Sequence, residues 1–232
     1  MTDAFFGELY LRSTRPFLSL EQTLAEQRFL LGRLPPSGRV LDLACGHGRH
    51  LAATHAFGVD FDHGSLKEAR AHGPVSRGDL RRLPFRAASF DAVYCWYNSL
   101  GTFEDDQVPL ILSEAARVTR AGGQLIVQAS HPSRAKAQPE ASYDGPIGEG
   151  EHLREWAQYD AGRHRDELRR ELTLADGRML EANFFIRYYE LSEWSALVGA
   201  AGFDLSFSFG SIDGAVVEDT SMDVIIGATR RG

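Results

Sequence analysis

Residues 40–50 read VLDLACGHGRH, an apolar run that leads into two glycines one residue apart. The apolar start predicts a buried strand, and Gly46 and Gly48 predict a tight loop that opens into a helix. Because glycine has no Cβ, a ligand can lie directly against the backbone of such a loop. The stretch therefore predicts the first strand of a ligand-binding α/β fold.

Three later segments continue this pattern of strands that end at glycines or acidic residues. Residues 57–62 (FGVDFD) form a second short strand that ends in carboxylates, and Gly78–Asp79 comes before Leu83–Phe85. Residues 89–94 (SFDAVY) predict a further strand. Because ligands bind at the carboxyl ends of the strands in an open parallel sheet, this order predicts a nucleoside site there.

The side chains near the loop favour S-adenosylmethionine (SAM) over a dinucleotide. A dinucleotide fingerprint needs a third glycine where this chain has Leu51, and Asp42 beside the loop is unsuited to a second phosphate. Asp42 suits an ammonium group, directly or through water, and Asp60 suits the two hydroxyls of a ribose. Asp79 suits the exocyclic amino group of adenine. A ligand with these groups and no phosphate is SAM; another nucleotide on a similar fold is the alternative.

These motifs resemble those of the class I SAM-dependent methyltransferases over nearly the whole chain. Residues 42–48 resemble the first motif of that family, residues 58–62 its ribose motif and residues 78–85 its adenine motif. The resemblance implies a Rossmann-like α/β fold, in which a mostly parallel sheet ends in an antiparallel hairpin. It also implies SAM as the cofactor and S-adenosylhomocysteine as the product.

The resemblance also assigns residues to the cofactor site. It implies that Phe61 packs on the adenine and that the Leu80 amide contacts the adenine ring. It implies an N-terminal segment folded over SAM, where Tyr10 can shield the sulfonium and Arg15 can pair with the methionyl carboxylate. A role for Arg15 only in leading the chain into its helix is the alternative. The other residues assigned to cofactor binding are Asp42, Ala44, Gly46, Gly48, Asp60, Asp79 and Trp96.

Three features depart from the family pattern. Ala44 stands where many members have glycine, and His47 stands where threonine or serine is usual. The span from Gly48 to Asp60 is several residues short, which predicts a first helix of about two turns. This shortening can alter the edge of the adenosine pocket but leaves the acidic strand end in place.

Composition limits the classes of function. The chain has 232 residues and a formal net charge of −7, which argues against a nucleic-acid surface. No apolar run reaches membrane-spanning length, so we expect a cytoplasmic protein without a membrane partner. Cys45 and Cys95 are then expected to be reduced and buried. His47 and His50 have no third ligand in register, so we expect no metal site.

The core is expected to contain two further helices and a central strand. Residues 20–34 predict a helix that Ser19 caps, with Gln22 completing a capping box. Residues 106–120 predict a second helix, and residues 124–129 predict the strand that follows. The expected buried residues are Leu20, Leu24, Leu30, Leu31 and Leu34 in the first helix and Val108, Ile111, Leu112, Ala115 and Val118 in the second.

The alternation of strands and helices stops after residue 130. Residues 131–150 predict a mobile loop, and the next runs predict an antiparallel three-stranded meander over 152–159, 168–174 and 179–189. A helix over 193–200, capped by Ser192, precedes a hairpin over 203–209 and 222–229. The predicted organisation is a SAM-binding core (1–130), an insert (131–190) that serves as an acceptor lid or a dimer surface, and a segment completing the core (191–232).

The expected reaction is direct methyl transfer to a small-molecule acceptor. Nitrogen is slightly favoured over oxygen as the acceptor atom, because no strong base is visible. His131 is the candidate base, with a loop histidine bonded to backbone as the alternative, and Tyr97 and Asn98 are expected on the acceptor side. The other functions left open are an RNA or protein methyltransferase, and a nucleotide- or SAM-binding protein without methyl transfer. No nucleic-acid partner is expected, and a homodimer is left open.

Overall fold

The computed structural model describes residues 6–148 and 150–232, which contain two β-sheets and the helices that pack on them. The strands are β1 (Val40–Leu43), β2 (Phe57–Asp60), β3 (Val75–Arg77), β4 (Phe90–Cys95), β5 (Thr119–Ser130), β6 (Glu140–Gly148), β7 (Glu151–Asp160), β8 (Arg165–Thr173), β9 (Met179–Arg187), β10 (Phe203–Phe209) and β11 (Asp223–Arg230). The α-helices are α1 (Glu8–Thr14), α2 (Leu20–Leu31), α3 (Leu51–Thr54), α4 (His63–Ala69), α5 (Val108–Val118), α6 (Pro132–Ala137) and α7 (Leu191–Ala200).

The main sheet has seven strands in the order β10-β11-β5-β4-β1-β2-β3. β1 to β5 run parallel to one another, and β11 lies antiparallel between β5 and β10. The predicted fold class, a mostly parallel sheet with a terminal antiparallel hairpin, is confirmed. The chain extends from β1 to one side through β2 and β3, and to the other side through β4. A crevice for a ligand is expected at such a reversal, outside the carboxyl ends of β1 and β4.

The main core forms where α5 and α7 cover one face of this sheet. All five residues predicted for the buried face of α5 are buried, and Trp194 of α7 is fully buried beside them. β1 is buried on both faces, as expected of a central parallel strand. The positions of the strand ends therefore follow from a rigid apolar frame.

The prediction for α2 is right in its cap and wrong in most of its buried face. Ser19 Oγ accepts a hydrogen bond from the Gln22 amide at 3.0 Å, as predicted, but the Gln22 side chain donates to Glu26 Oε1 at 3.1 Å and does not complete the predicted capping box. Leu30 is fully buried, but Leu20 is 73% exposed, and Leu24 and Leu31 are exposed as well. The helix ends at Leu31, and its buried face instead carries Glu26 and Phe29. An apolar pattern shows which residues can be buried, and the neighbouring elements decide which of them are.

The segment predicted as a mobile loop and a three-stranded meander is more ordered than expected. α6 follows β5 directly, and β6 pairs with β7 to give a four-stranded antiparallel insert, in the order β6-β7-β8-β9. The sequence signal was weak because the β6 side chains are largely exposed, so no apolar alternation marks this strand.

Two helices of the core also differ from their predictions. α3 has one turn where two were expected. α7 is capped by Glu190 in a capping box with Glu193, and not by Ser192.

One face of the insert packs against α1. Leu9 of α1 lies in a small apolar cluster with Leu153, Leu172 and Ala182 of the insert. Arg170 of β8 donates to Ser13 Oγ at 2.8 Å and to Thr14 Oγ1 at 3.2 Å. The insert thus holds the N-terminal helix against the rest of the protein. In the described part of the chain, no helix is long and apolar enough to cross a membrane.

Candidate functional site

The glycine loop after β1 presents open space at Gly46. Gly46 has a φ of +55°, and a Cβ built on it would meet no atom within 4 Å. Gly48 differs, because a Cβ there would lie 2.9 Å from the Cα of Ala69 on α4. Gly46 therefore borders open space, whereas Gly48 is needed for close packing of the helix.

The backbone conformation of Ala44 explains why glycine is common at this position in the family that the motifs resemble. Its φ is +58°, in the left-handed region that L-residues adopt at a cost. The strained backbone of Ala44 lies at the start of the loop, directly after the end of β1. Residues held in this region tend to cluster at functional sites, where the surrounding structure enforces them.

Asp60, at the end of β2, is bonded to the loop it faces. Its Oδ2 accepts from the Gly46 amide and its Oδ1 from the Asp62 amide, each at 2.8 Å. Burial raises the pKa of Asp60, and these backbone bonds oppose the rise. A carboxylate has about four acceptor positions, so these backbone bonds do not use all of them. Asp60 can thus both shape the loop and bind a ligand.

Asp42 is a buried acid beneath the same loop. Burial raises the pKa of Asp42 to about 8, with a smaller contribution from Asp60, while the hydrogen bond with Tyr94 lowers it. The Tyr94 hydroxyl is also 3.0 Å from Thr54 Oγ1 in α3. Asp42 therefore lies in a polar network whose charge state changes near neutral pH.

A buried ion pair that the sequence reasoning missed joins α2 to the glycine loop. Arg49 directly follows Gly48 and pairs with Glu26 of α2, and His50 Nε2 lies 3.3 Å from the same carboxylate. Burial alone would raise the pKa of Glu26, but the bonds from His50 and Arg49 hold it below its usual range. Arg49 Nη2 is buried, and no hydrogen-bond partner for it lies among the described residues.

The turn after β4 carries the two residues predicted on the acceptor side, near the ion pair of Arg49 and Glu26. Tyr97 and Asn98 both have positive φ values, 60° and 56°. The Arg49 guanidinium lies 5.2 Å from the centroid of the Tyr97 ring. Tyr10 of α1 lies within electrostatic range of Tyr97. Burial raises the pKa of Tyr10, and Tyr97 raises it further. Arg49 and Asp60 are also close enough to affect this pKa. Tyr97 thus lies beside Arg49, and Tyr10 is close enough to both to be affected by their charges.

The residues assigned to adenine lie on the exposed side of the site. Phe61 is half-exposed, and the Arg77 guanidinium lies 5.1 Å from its ring centroid. The Asp79 carboxylate accepts from Arg81 Nη2 at 2.7 Å, and this bond lowers the pKa of Asp79. Leu80 beside it is buried. An adenine amino group would therefore share the Asp79 carboxylate with Arg81.

Arg15 and Trp96 occupy different surroundings from the group around Arg49. Arg15 pairs with Glu68 of α4 at 2.6 Å, and both side chains are about half exposed. His47 lies near Arg15 and Arg49, and burial together with these cations lowers its pKa to about 4, so its ring is neutral at pH 7. Trp96 is buried in the core against Phe29, with ring centroids 5.6 Å apart. Trp96 therefore packs in the core of the protein and not on an exposed side of the site.

His131, the residue predicted as a base, caps α6 in the structure. Its Nδ1 accepts from the Ser133 amide at 3.3 Å, and its Nε2 lies 3.3 Å from Glu190 Oε2. The side chain is buried, so both ring nitrogens are engaged and shielded. The loop-histidine alternative describes it better. Cys45 and Cys95 are free and buried, as expected.

Comparison with known proteins gives a match to the central part of the chain. Residues 40–123 match the methyltransferase domain family. A demethylmenaquinone methyltransferase from Beutenbergia cavernae is 41% identical over 100 residues, which cover 40% of this chain and 40% of that protein. The match thus spans about two-fifths of the length of this curated relative.

Solved structures extend the likeness to the whole fold. The CcbJ methyltransferase from Streptomyces caelestis has a TM-score of 0.80 at 15% identity, covering 96% of each chain. The sugar N-methyltransferase KedS8 from a Streptoalloteichus species has a TM-score of 0.72 at 23% identity, covering 98% of this chain and 94% of its own. Residues 40–123 thus match a methyltransferase domain family, and the described chain has the Rossmann-like fold of these solved methyltransferases.

Proposed function

We propose that this protein is a SAM-dependent methyltransferase that acts on a small molecule. The observation that carries the proposal is the open backbone at Gly46, flanked by Asp60, Asp42 and the unpartnered Nη2 of Arg49. Acids and a cation in this arrangement complement a ligand that has hydroxyls, an ammonium group and a carboxylate. The amino-acid part of SAM has the last two groups, and its ribose has the first.

Each part of SAM has a residue suited to it. Asp60 would accept from the ribose hydroxyls, and Phe61, Asp79 and Leu80 would surround the adenine. Asp42 would balance the ammonium group, directly or through water. Arg49 would bind the methionyl carboxylate through Nη2, a role in which it replaces Arg15, because Arg15 is paired with Glu68. When bound, SAM supplies a methyl group that is activated by the sulfonium.

The role of the protein in the reaction is to position the acceptor and to exclude water. α1 packs on the insert, and Tyr10 of α1 is close enough to Tyr97 for the two to interact electrostatically. Aromatic rings there can contact a cationic group, and a lid over the site keeps the displacement away from solvent. The insert is thus an acceptor lid in this proposal. A homodimer through its other face, where Trp156 and Met179 are exposed, is compatible with that role.

A small molecule with a nitrogen acceptor fits the site best. The His131 Nδ1 accepts from the Ser133 amide and its Nε2 lies 3.3 Å from Glu190 Oε2, so this buried ring is poorly placed to act as a base for a hydroxyl acceptor. A net charge of −7 disfavours an RNA substrate. KedS8, one of the similar structures, is a sugar N-methyltransferase, which supports the same class of acceptor.

Calorimetric titration of the purified protein with SAM, S-adenosylhomocysteine and NADH tests this proposal. We expect binding of the first two ligands in the micromolar range and none of NADH. Any ligand carried over from expression would first be removed by unfolding and refolding. Binding of NADH alone, or of none of the three, would overturn the proposal.

The pKa of Asp42 predicts how SAM affinity depends on pH. With its pKa raised to about 8, Asp42 is mostly neutral at pH 6 and becomes ionised as the pH rises. SAM affinity should therefore increase between pH 6 and 7.5, by up to about tenfold per pH unit, and decline above about pH 8 as the ligand ammonium loses its proton. The affinity of an Asp42→Asn variant should be flat from pH 6 to 7.5. Dissociation constants from calorimetry at each pH decide this, and a flat wild-type profile would contradict the role of Asp42.

A further inference from the structure

Asp223 lies on the acceptor side of the site, at the start of β11. Because β11 is antiparallel to β5, its first residue lies beside Ser130, at the sheet edge where the parallel strands end. The Gln128 side chain connects it to the turn after β4. Gln128 Nε2 donates to Asp223 Oδ1 at 3.1 Å, and Gln128 Oε1 accepts from the Asn98 amide at 3.2 Å. Asp223 is therefore fixed relative to Tyr97 and Asn98.

The Asp223 carboxylate is half-buried and has no cation beside it. Within residues 6–148 and 150–232, the one hydrogen bond to this carboxylate comes from neutral Gln128, and no arginine, lysine or histidine lies within salt-bridge distance. Two charged side chains act on it from farther away, Arg134 of α6 and Glu26 of α2. Burial raises the pKa of Asp223, and Arg134 opposes this rise. A partly buried carboxylate without a strong donor carries a desolvation cost that nothing in the described residues fully offsets.

The other acids near the site are already engaged. Asp60 accepts from two backbone amides, and Glu26 pairs with Arg49. Asp166 of the insert accepts from the Tyr188 hydroxyl at 2.5 Å. Asp223 differs because its Oδ2 receives no hydrogen bond from the described residues. An ammonium group from a ligand would supply both the missing charge and the missing donor.

We propose that the Asp223 carboxylate binds the ammonium group of the methyl acceptor and removes one of its protons, so that the acceptor is a protonated amine. The inference rests on the proposed function. In this step one N–H bond of the ammonium breaks and one O–H bond forms on Asp223. The nitrogen keeps the electron pair with which it bonds to the methyl carbon, and Asp223 later releases its proton to solvent. A carboxylate whose basicity is increased by burial suits this task.

Two pairs of matched probes test the inference: glucosamine with glucose, and tyramine with tyrosol. Each would be titrated calorimetrically into protein saturated with S-adenosylhomocysteine. We expect the wild type to bind at least one amine about tenfold or more tightly than its matching alcohol at pH 7.5. This preference should be lost in Asp223→Asn, and it should decrease in the wild type as the pH is lowered, because protonation neutralises the Asp223 carboxylate. Asp213→Asn, the same change at an exposed position between β10 and β11, should leave it intact.

The outcomes separate this inference from the proposed function. Failure of S-adenosylhomocysteine to bind the wild type refutes the proposed function itself. If it binds but neither amine is preferred, or if Asp223→Asn keeps the preference, the role of Asp223 is refuted. If Asp166→Asn lost the preference for the amine and Asp223→Asn kept it, the role of Asp223 would also be refuted. The ammonium group would then be bound by Asp166 of the insert. Unchanged S-adenosylhomocysteine affinity in Asp223→Asn shows that the variant is folded.

Discussion

Replacing Arg49 with methionine should destabilise the protein by about 3–5 kcal/mol and weaken SAM binding by about 10- to 100-fold. The stability loss is expected because Glu26 would be left buried without its charged partner, and such an uncompensated charge is costly. His50 cannot replace the guanidinium, since burial lowers its own pKa. The affinity loss is expected because the free Nη2 would no longer bind the methionyl carboxylate. Denaturant unfolding and calorimetry measure the two effects.

A second substitution separates stability from binding at this position. In the Glu26→Gln/Arg49→Met double variant both charges are removed, so stability should return to near the wild-type value while SAM affinity stays low. Arg15→Met is the matched control. Because the Arg15–Glu68 pair is about half exposed, its loss should cost less than about 1 kcal/mol and leave SAM affinity unchanged. If Arg15→Met lost SAM binding and the double variant kept it, the methionyl carboxylate of SAM would be bound by Arg15 and not by Arg49.

The Asp60→Ala variant should bind SAM about 10- to 100-fold more weakly, which corresponds to about 1–3 kcal/mol. The variant loses the acceptor for the ribose hydroxyls and also the bond that holds the Gly46 amide. Both losses act on the same ligand, so the effect on binding should exceed the effect on stability. Titration of SAM into the variant, with circular dichroism to verify the fold, measures it.

Asp62→Ala is the control for Asp60. Asp62 caps α4 by accepting from the Ser65 amide at 2.6 Å, so its removal should cost about 0.5–2 kcal/mol of stability. Its side chain has no assigned part in the ribose site, so SAM affinity should stay within about twofold of the wild type. An unchanged SAM dissociation constant in Asp60→Ala would mean that the ribose is bound elsewhere.

The cofactor side of the site was predictable from sequence because its residues are close together in the chain. Gly46, Gly48 and Asp60 lie within one strand–loop–strand unit, so their spacing reports their geometry. The buried face of α5 was predictable for the same reason, since a helical period is a local property. Even Ala44 could be placed in the loop, although its positive φ is visible only in the structure.

The insert and the acceptor side were predicted less well. β6 lacks apolar alternation because it is largely exposed, and it is a strand because β7 pairs with it. His131 follows a strand end, as a base would, yet its Nδ1 caps α6 at the Ser133 amide and its Nε2 lies beside Glu190. Glu190 is 59 positions away in the chain, and no local pattern reports a partner at that distance.

The sequence by itself determined the class of fold, the glycine loop and the acids at the strand ends, because each depends on neighbouring residues and on strand or helix periodicity. Only the tertiary structure decided that Arg49 pairs with Glu26, that Arg15 is paired on the surface, and that Asp223 is joined through Gln128 to the turn at Asn98. These choices depend on which charges are buried together. Burial is a property of the packed protein, and in a buried site the cost of desolvation decides which side chains are left for a ligand.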